Sequence, residues 1–308
     1  MRNFRRTILL FLAAVSVLVL ASCRTARDRQ KPLVVATNFA AYDLSRSLCS
    51  GFADVRMLLS PGNESHDFEA TVSDIAMIER CDLFVFTGGE SDEWIEDLFD
   101  AMGDRAEKIN TFAMMDHVDL LTEQIPGIIS SSEEYDEHVW TSPKNTLIIL
   151  GDLAETMSGI FPDHAGKINS SLEDCSSKIR AADERLREII SSASRRTIIV
   201  ADRFPFKYLC EEYGLSYYAA FTGCTSNTEP SLPVIGSLVN RVREENIPVI
   251  FTTELSDRKT AEFISGETGA RIMTLHSAHN VTKEEFDEGV TYAELMEQNA
   301  TALEAALK

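Results

Sequence analysis

The chain has 308 residues and a formal net charge of −20 at pH 7, with 44 % apolar and 25 % charged residues. This composition is that of a globular protein and excludes an intrinsically disordered one, and the length is sufficient for two domains with cores of their own. So acidic a surface repels nucleic acid, which excludes a nucleic-acid-binding function.

Residues 1–22 have the pattern of a secretory signal peptide. Three arginines precede an apolar run at 8–21, which is shorter than the roughly 20 residues that cross a bilayer. The run ends in Leu-Ala-Ser-Cys, which resembles the lipoprotein box of bacteria, where the chain is cut before a cysteine that then carries lipid. We therefore predict lipidation of Cys23, a polar tether over 23–31, and a position on the extracytoplasmic face of the cell membrane, at the cell surface or in the periplasm.

From residue 33 onward, strand-like and helix-like runs alternate through the first half of the chain. Continuous apolar runs separated by helical stretches are typical of a parallel sheet with helices on both faces. We therefore predict an α/β lobe over residues 32–160. The predicted strands are 33–37, 55–59, 83–87 and 107–111, and the predicted helices are 41–49, 73–80 and 94–102.

Residues 163–193 contain the longest helical pattern. Apolar residues recur at three- and four-residue steps from Ile168 to Ile189, and no Gly or Pro follows Gly166. About 27 residues at 1.5 Å each give a rod about 40 Å long. We predict that a rigid helix within 161–194 joins two similar lobes; an ordinary surface helix is the alternative.

The alternation resumes after this helix and predicts a second lobe over residues 195–308. The predicted fold is therefore α/β, with two lobes, each a mostly parallel sheet flanked by helices, joined by one long rigid helix. Ligands of such sheets bind in the cleft beyond the carboxyl ends of the strands. The predicted strands are 197–201, 216–221, 248–252 and 271–275, and the predicted helices are 206–213, 232–245, 258–268 and 292–307.

Three of the six histidines lie where such a cleft site would be. His66 follows the second strand, His138 begins an element, and His276 ends the last strand. Imidazoles that converge from two lobes are a zinc-like ligand set. Spacing alone leaves the alternative open, in which each histidine caps a helix or binds a carbonyl group. His117 and His164 fit that alternative.

Five short motifs occur together in this chain. They are Pro-Gly-Asn-Glu-Ser-His-Asp-Phe-Glu at 61–69, Asp-Glu-His-Val-Trp-Thr-Ser-Pro at 136–143, Tyr-Leu-Cys-Glu-Glu-Tyr-Gly-Leu at 208–215, Thr-Glu-Pro-Ser at 228–231 and Thr-Gly-Ala at 268–270. With them, the chain from 33 to 307 resembles the metal-binding lipoproteins and periplasmic proteins of bacterial ABC transporters for zinc and manganese. The resemblance implies two α/β lobes joined by a long rigid helix, which move little on binding.

The chain departs from the family pattern at two positions of the site. Where the family usually has a third His or a Glu, this chain has Arg203, which has no lone pair for a cation. Where the family usually has an Asp after the last strand, this chain has His276. The resemblance thus implies a metal site of His66, His138 and His276, and three nitrogen donors favour Zn²⁺ over Mn²⁺. The fourth position stays open among Asp202, Glu254, His279 and water.

We therefore predict an extracytoplasmic solute-binding protein, not an enzyme, that captures a divalent transition metal, zinc in first place, for delivery to an ABC permease. Two alternatives stay open. One is a zinc-dependent hydrolase with Glu254 or Asp202 as the base, although the chain has no HExxH motif. The other is a surface adhesin lipoprotein that has lost metal transport. We also expect replacement of His276 to weaken metal binding more than replacement of His279.

Overall fold

The computed structural model describes residues 31–63, 68–123, 135–221 and 230–308. The predicted signal peptide, Cys23 and His66 lie outside the described residues. Within these ranges, no helix combines the length and the apolar character that crossing a membrane requires. The chain from Leu33 to Lys308 forms one unit.

The first half of the chain forms a four-stranded parallel sheet with helices on both faces. Its elements are β1 (Leu33–Ala36), α1 (Phe39–Cys49), β2 (Asp54–Met57), α2 (Val72–Ile78), β3 (Leu83–Phe86), α3 (Trp94–Met102), β4 (Thr111–Ala113) and α4 (Pro143–Ile160). The strand order is β2-β1-β3-β4. Successive side chains of β1 point to opposite faces, so that Val34 packs in one core with α1 while Val35 packs in another with α2 and α3.

The second half repeats this architecture. Its elements are α5 (Ala165–Ser191), β5 (Thr197–Val200), α6 (Lys207–Tyr213), β6 (Ser216–Ala219), α7 (Leu232–Glu245), β7 (Val249–Thr252), α8 (Lys259–Thr268), β8 (Arg271–Thr274), α9 (Lys283–Glu288) and α10 (Tyr292–Leu307). The order β6-β5-β7-β8 matches that of the first sheet, and all pairs are parallel. The predicted fold class is therefore confirmed.

The fourth predicted strand of the first lobe is wrong by several residues. Residues Gly103–Lys108 form a 3₁₀ helix, and the strand β4 follows it. Phe112 is the residue of this region that enters the core, with 3 % of its surface exposed. The strand that pairs with β3 is therefore centred on Phe112. The prediction also missed α4, whose start is marked by Ser142, which accepts a hydrogen bond from Asn145 N, and by Pro143.

The long helix α5 spans the cores of both sheets. Ile168 and Ile179 belong to the core of the first sheet, and Leu186 belongs to the core of the second. This observation agrees with the predicted connecting helix. The helix α10 runs beside α5 in the same direction, because its residues 292–296 pack in the first core and its residues 300–307 pack in the second. Two helices, rather than one, therefore hold the sheets together.

The chain returns to the first lobe after its last strand. Ala278, Val281 and Tyr292 all follow β8, yet they are buried in the core of the first sheet. Phe39 N donates to His279 O at 2.9 Å, and Gly62 N donates to Val281 O at 2.8 Å. The loop after β8 therefore belongs by its packing to the first lobe, although the sequence places it in the predicted segment 195–308.

We expect the substitution Ile179→Ala in α5 to lower the free energy of unfolding by about 2–5 kcal/mol, because it opens a cavity in the core of the first sheet. Ile179 has 0 % of its surface exposed. The exposed neighbour Ser177 provides the control, since Ser177→Ala should change this free energy by no more than about 0.5 kcal/mol. Urea unfolding followed by circular dichroism measures both. Equal effects of the two variants would contradict a core role for this face of α5.

Candidate metal centre

In both sheets the strand order reverses between the first and the third strand along the chain, β1 and β3 in one sheet and β5 and β7 in the other. Polar residues join the two strand ends at this point. In the first sheet, Asn38 Nδ2 donates to Thr87 Oγ1 at 2.7 Å. In the second sheet, Thr253 Oγ1 donates to Asp202 Oδ2 at 2.8 Å. Such switch points are the usual ligand sites of open parallel sheets. The candidate centre lies next to the switch point of the first sheet.

Glu137, His138 and His279 form the one group of metal-ligating side chains found in the described ranges. One donor atom from each of the three lies within 4.8 Å of the other two. The rings of His138 and His279 are 5.3 Å apart between centroids and are nearly perpendicular. Two imidazole nitrogens and one carboxylate oxygen at such separations can hold a single cation.

His138 is held in the tautomer that metal binding requires. Its Nδ1 lies 3.1 Å from Asp136 Oδ1, and its backbone N–H donates to the same oxygen at 2.8 Å. Because the carboxylate accepts the Nδ1 proton, the Nε2 lone pair remains for an ion. Burial by itself lowers the pKa of His138, but the charges of Asp136, Glu137 and Glu123 outweigh it, and the pKa is raised.

Acidic side chains are buried around this group. Burial raises the pKa of Asp92 to about 7, and the charge of Glu137 adds to the increase. Buried carboxylates without a compensating positive charge are costly, and a bound cation removes that cost. The buried acidic residues of this region are Asp92, Glu123, Asp136 and Glu137, with exposed fractions of 7 %, 5 %, 1 % and 1 %.

His279 is placed by the loop that returns to the first lobe. Its backbone N–H donates to Ser277 Oγ at 3.0 Å, and its carbonyl accepts from Phe39 N. The ring of Trp140 lies edge-on to the ring of His279, with 5.2 Å between centroids. His279, named among the candidates for the fourth position, is therefore the residue of the last loop that meets His138.

His276 does not belong to this group. Its Nδ1 accepts a hydrogen bond from Ala278 N at 3.0 Å, which in the neutral ring leaves the proton on Nε2. That Nε2 is buried and lies 3.8 Å from Glu285 Oε1. Burial by itself lowers the pKa of His276. The charges of Glu254 and Glu285 outweigh burial, so the pKa lies above its ordinary value. The Nδ1 lone pair of His276 is thus engaged by the backbone and does not face the group around His138.

The other candidates for the fourth position have hydrogen-bonding partners of their own. Asp202 accepts from the backbone N–H groups of Thr253 and Arg203, at 3.2 and 2.9 Å. Glu254 accepts from Ser277 N at 2.9 Å and from Ser277 Oγ at 2.5 Å. Neither carboxylate belongs to the group described above.

The two histidines assigned to structural roles are in stacked contacts. His117 stacks on Phe112 with 4.1 Å between centroids, and its Nδ1 lies 2.9 Å from Asp152 Oδ2. His164 stacks on Phe52, also at 4.1 Å. These contacts agree with packing roles outside the metal centre.

Comparison with known proteins places this chain in a family. The family model described as ZnuA, zinc-uptake complex component A periplasmic, matches residues 34–306. The high-affinity zinc uptake system protein ZnuA of Bacillus subtilis is 27 % identical over 310 residues and is matched over 97 % of both chains. The zinc-binding lipoprotein AdcA of Streptococcus pneumoniae serotype 4 is 26 % identical over 97 % of this chain.

The chain spans 60 % of the length of that streptococcal relative. The part it matches has a solved structure, the Zn(II)-bound ZnuA-like domain of Streptococcus pneumoniae AdcA. That domain is 25 % identical to this chain, with a TM-score of 0.76, and the match covers 90 % of this chain and 99 % of the domain. The family match over nearly the whole described chain shows that the protein belongs to the zinc-uptake complex component A periplasmic family.

Proposed function

We propose that this protein captures a divalent transition metal ion, zinc in first place, outside the cytoplasmic membrane and delivers it to an ABC permease. The observation that carries the proposal is the convergence of Glu137, His138 and His279 within 4.8 Å. Imidazole nitrogen and carboxylate oxygen are common ligands of Zn²⁺, whereas Mn²⁺ favours sites dominated by oxygen. The names of the relatives, which refer to zinc uptake and zinc binding, support the same ion.

The residues around the ion have separate tasks in this proposal. His138 and His279 supply nitrogen donors, and Asp136 keeps the His138 donor deprotonated at Nε2. Glu137 supplies an oxygen donor and part of the negative charge. The protein therefore acts as a binding protein and not as an enzyme, in agreement with its family.

We keep His66 as a further donor, on the basis of its motif and of the chain on either side of it. Asn280 Nδ2 donates to Asn63 O at 2.8 Å, so that the chain before His66 is bonded to the neighbour of His279. Phe68, two residues after His66, lines a small cavity together with His279. His276, by contrast, is not retained as a ligand.

Release cannot rely on separating the two sheets. Val139 and Ala278, which adjoin the His138 and His279 segments, are buried in the same core. A change in the angle between the sheets would therefore leave these two donors together. We propose that release follows a local displacement of one donor, which agrees with the small movements implied by the family resemblance.

We propose that a lipid anchor holds the protein at the membrane beside its permease. Lipidation at Cys23 would anchor the protein to the membrane, where a permease is within reach of the tether over 23–31. The word lipoprotein in the name of the streptococcal relative supports this anchor. No observation in the described residues favours the hydrolase or the adhesin over metal capture.

We expect the protein, purified without added metal, to contain one zinc ion per chain. The substitution His279→Ala removes a direct donor and should lower zinc affinity by more than about 100-fold. His276→Gln should cost less, which reverses the expectation from sequence. Metal content by mass spectrometry and competition with a zinc chelator measure these values. His164→Ala, far from the group in sequence and packed on Phe52, is the control and should bind as the wild type does.

A loss with His276→Gln that equals or exceeds the loss with His279→Ala would contradict this assignment, provided that both metal-free variants keep the wild-type circular dichroism spectrum.

We expect His66→Ala to weaken zinc binding as well, because the substitution removes the nitrogen donor that we assign to His66. The same competition assay measures the effect, with His117→Ala as a matched control in the first lobe, since His117 is bonded to Asp152. Wild-type affinity in the His66→Ala variant would remove this residue from the centre and leave the other three donors in place.

A further inference from the structure

We propose that Ser91 is the positioning residue that orients the Glu137 carboxylate toward the metal ion and thereby sets the preference for zinc. This inference rests on the proposed function. Ser91 N donates to Glu137 Oε2 at 3.0 Å, and Ser91 Oγ makes a short hydrogen bond to Glu137 Oε1. One residue therefore engages both oxygens of the carboxylate, 46 positions away along the chain.

The turn that carries Ser91 is itself fixed. It follows β3 and contains a single 3₁₀ turn, Glu90–Asp92. The Asp92 carboxylate accepts from Thr87 N at 2.7 Å and from Gly88 N at 3.1 Å, which closes the turn onto the end of the strand. Ser91 is thus held by the sheet and not by a loose loop.

The packing of this turn against Glu137 is close enough to require a glycine. Gly89 has a φ of +121°, a backbone conformation that residues with a side chain rarely adopt. A Cβ atom at this position would lie 3.1 Å from the Cβ of Glu137 and 3.0 Å from Sδ of Met115. The absence of a side chain at Gly89 therefore allows Ser91 and Glu137 to meet.

The two hydrogen bonds restrict how Glu137 can bind an ion. A carboxylate has about four lone-pair directions on its two oxygens, and Ser91 uses one on each. The group cannot rotate to present both oxygens equally to one cation, so it binds through a single oxygen. Single-oxygen binding suits four-coordinate Zn²⁺, whereas larger cations with six or more ligands gain from two-oxygen binding.

The variant Ser91→Ala removes the hydroxyl and keeps the backbone N–H donor. We expect zinc affinity to fall about 10- to 100-fold, the usual effect of removing a group that orients a ligand. The ratio of zinc affinity to manganese affinity should fall as well, because Oε1 of Glu137 loses its hydrogen bond and can then bind the ion beside Oε2. Ser91→Thr, which keeps a hydroxyl, should restore most of both values.

Ser265→Ala is the matched control. The hydroxyl of Ser265 donates to Ala270 O at 2.7 Å in the second lobe, so the variant loses a comparable hydrogen bond without touching the centre. It should leave the zinc affinity and the zinc-to-manganese ratio unchanged. A merely structural role of Ser91 would lower the melting temperature of the metal-free protein without changing that ratio.

A double-mutant cycle with Glu137→Gln tests whether Ser91 acts through Glu137. If it does, Ser91→Ala adds little further loss of zinc affinity in the Glu137→Gln background, because the group that it orients is already replaced. The full loss in that background, or an unchanged affinity and ratio in the single variant Ser91→Ala, overturns the inference while the wild type still binds zinc. A wild type that binds no zinc overturns the proposed function, and the inference with it.

Discussion

The candidate metal-binding group depends on one buried contact between two distant segments of the chain. Trp140 Nε1 donates to Ser277 O at 2.8 Å, across 137 residues of sequence, and Trp140 has none of its surface exposed. His138 lies two residues before Trp140, and His279 lies two residues after Ser277. An indole N–H that is buried needs a partner, so this hydrogen bond fixes how the two segments are aligned. The meeting of the two imidazoles follows from that alignment.

The same region concentrates negative charge in a place from which water is largely excluded. Asp136 and Glu137 are almost fully buried and lie beside the imidazole of His138. In such surroundings a divalent cation gains from each carboxylate more than it would in water, because the effective dielectric constant is lower. The hydrogen bonds from Ser91 to Glu137 and from His138 to Asp136 hold these charges in place before an ion arrives. The candidate centre is therefore organised without an ion.

The architecture explains why such a centre can be rigid although the chain contains two sheets. The helices α5 and α10 each contribute to both cores, and Arg185 of α5 pairs with Glu297 of α10 at 2.5 Å. The loop after β8 packs in the first core, so that both histidines of the group are held by one body of the protein. Affinity can then be adjusted by a single donor or by the groups that orient it, without movement of a whole lobe.

Periodicity in the sequence was sufficient for the fold class. The limits of α3, α7 and α10 agree with the predicted helices, because amphipathic spacing and helix start signals are local properties. The motif at 136–143, which contains His138, was likewise recognisable from the sequence alone. Tertiary structure decided which of His276 and His279 lies beside His138, since Ala278 turns the loop with a φ of +57° and its N–H donates to Nδ1 of His276. The contact of Glu137 with Ser91 was also beyond sequence reasoning, because the two residues are 46 positions apart and meet only through the packing of β3 against the first core.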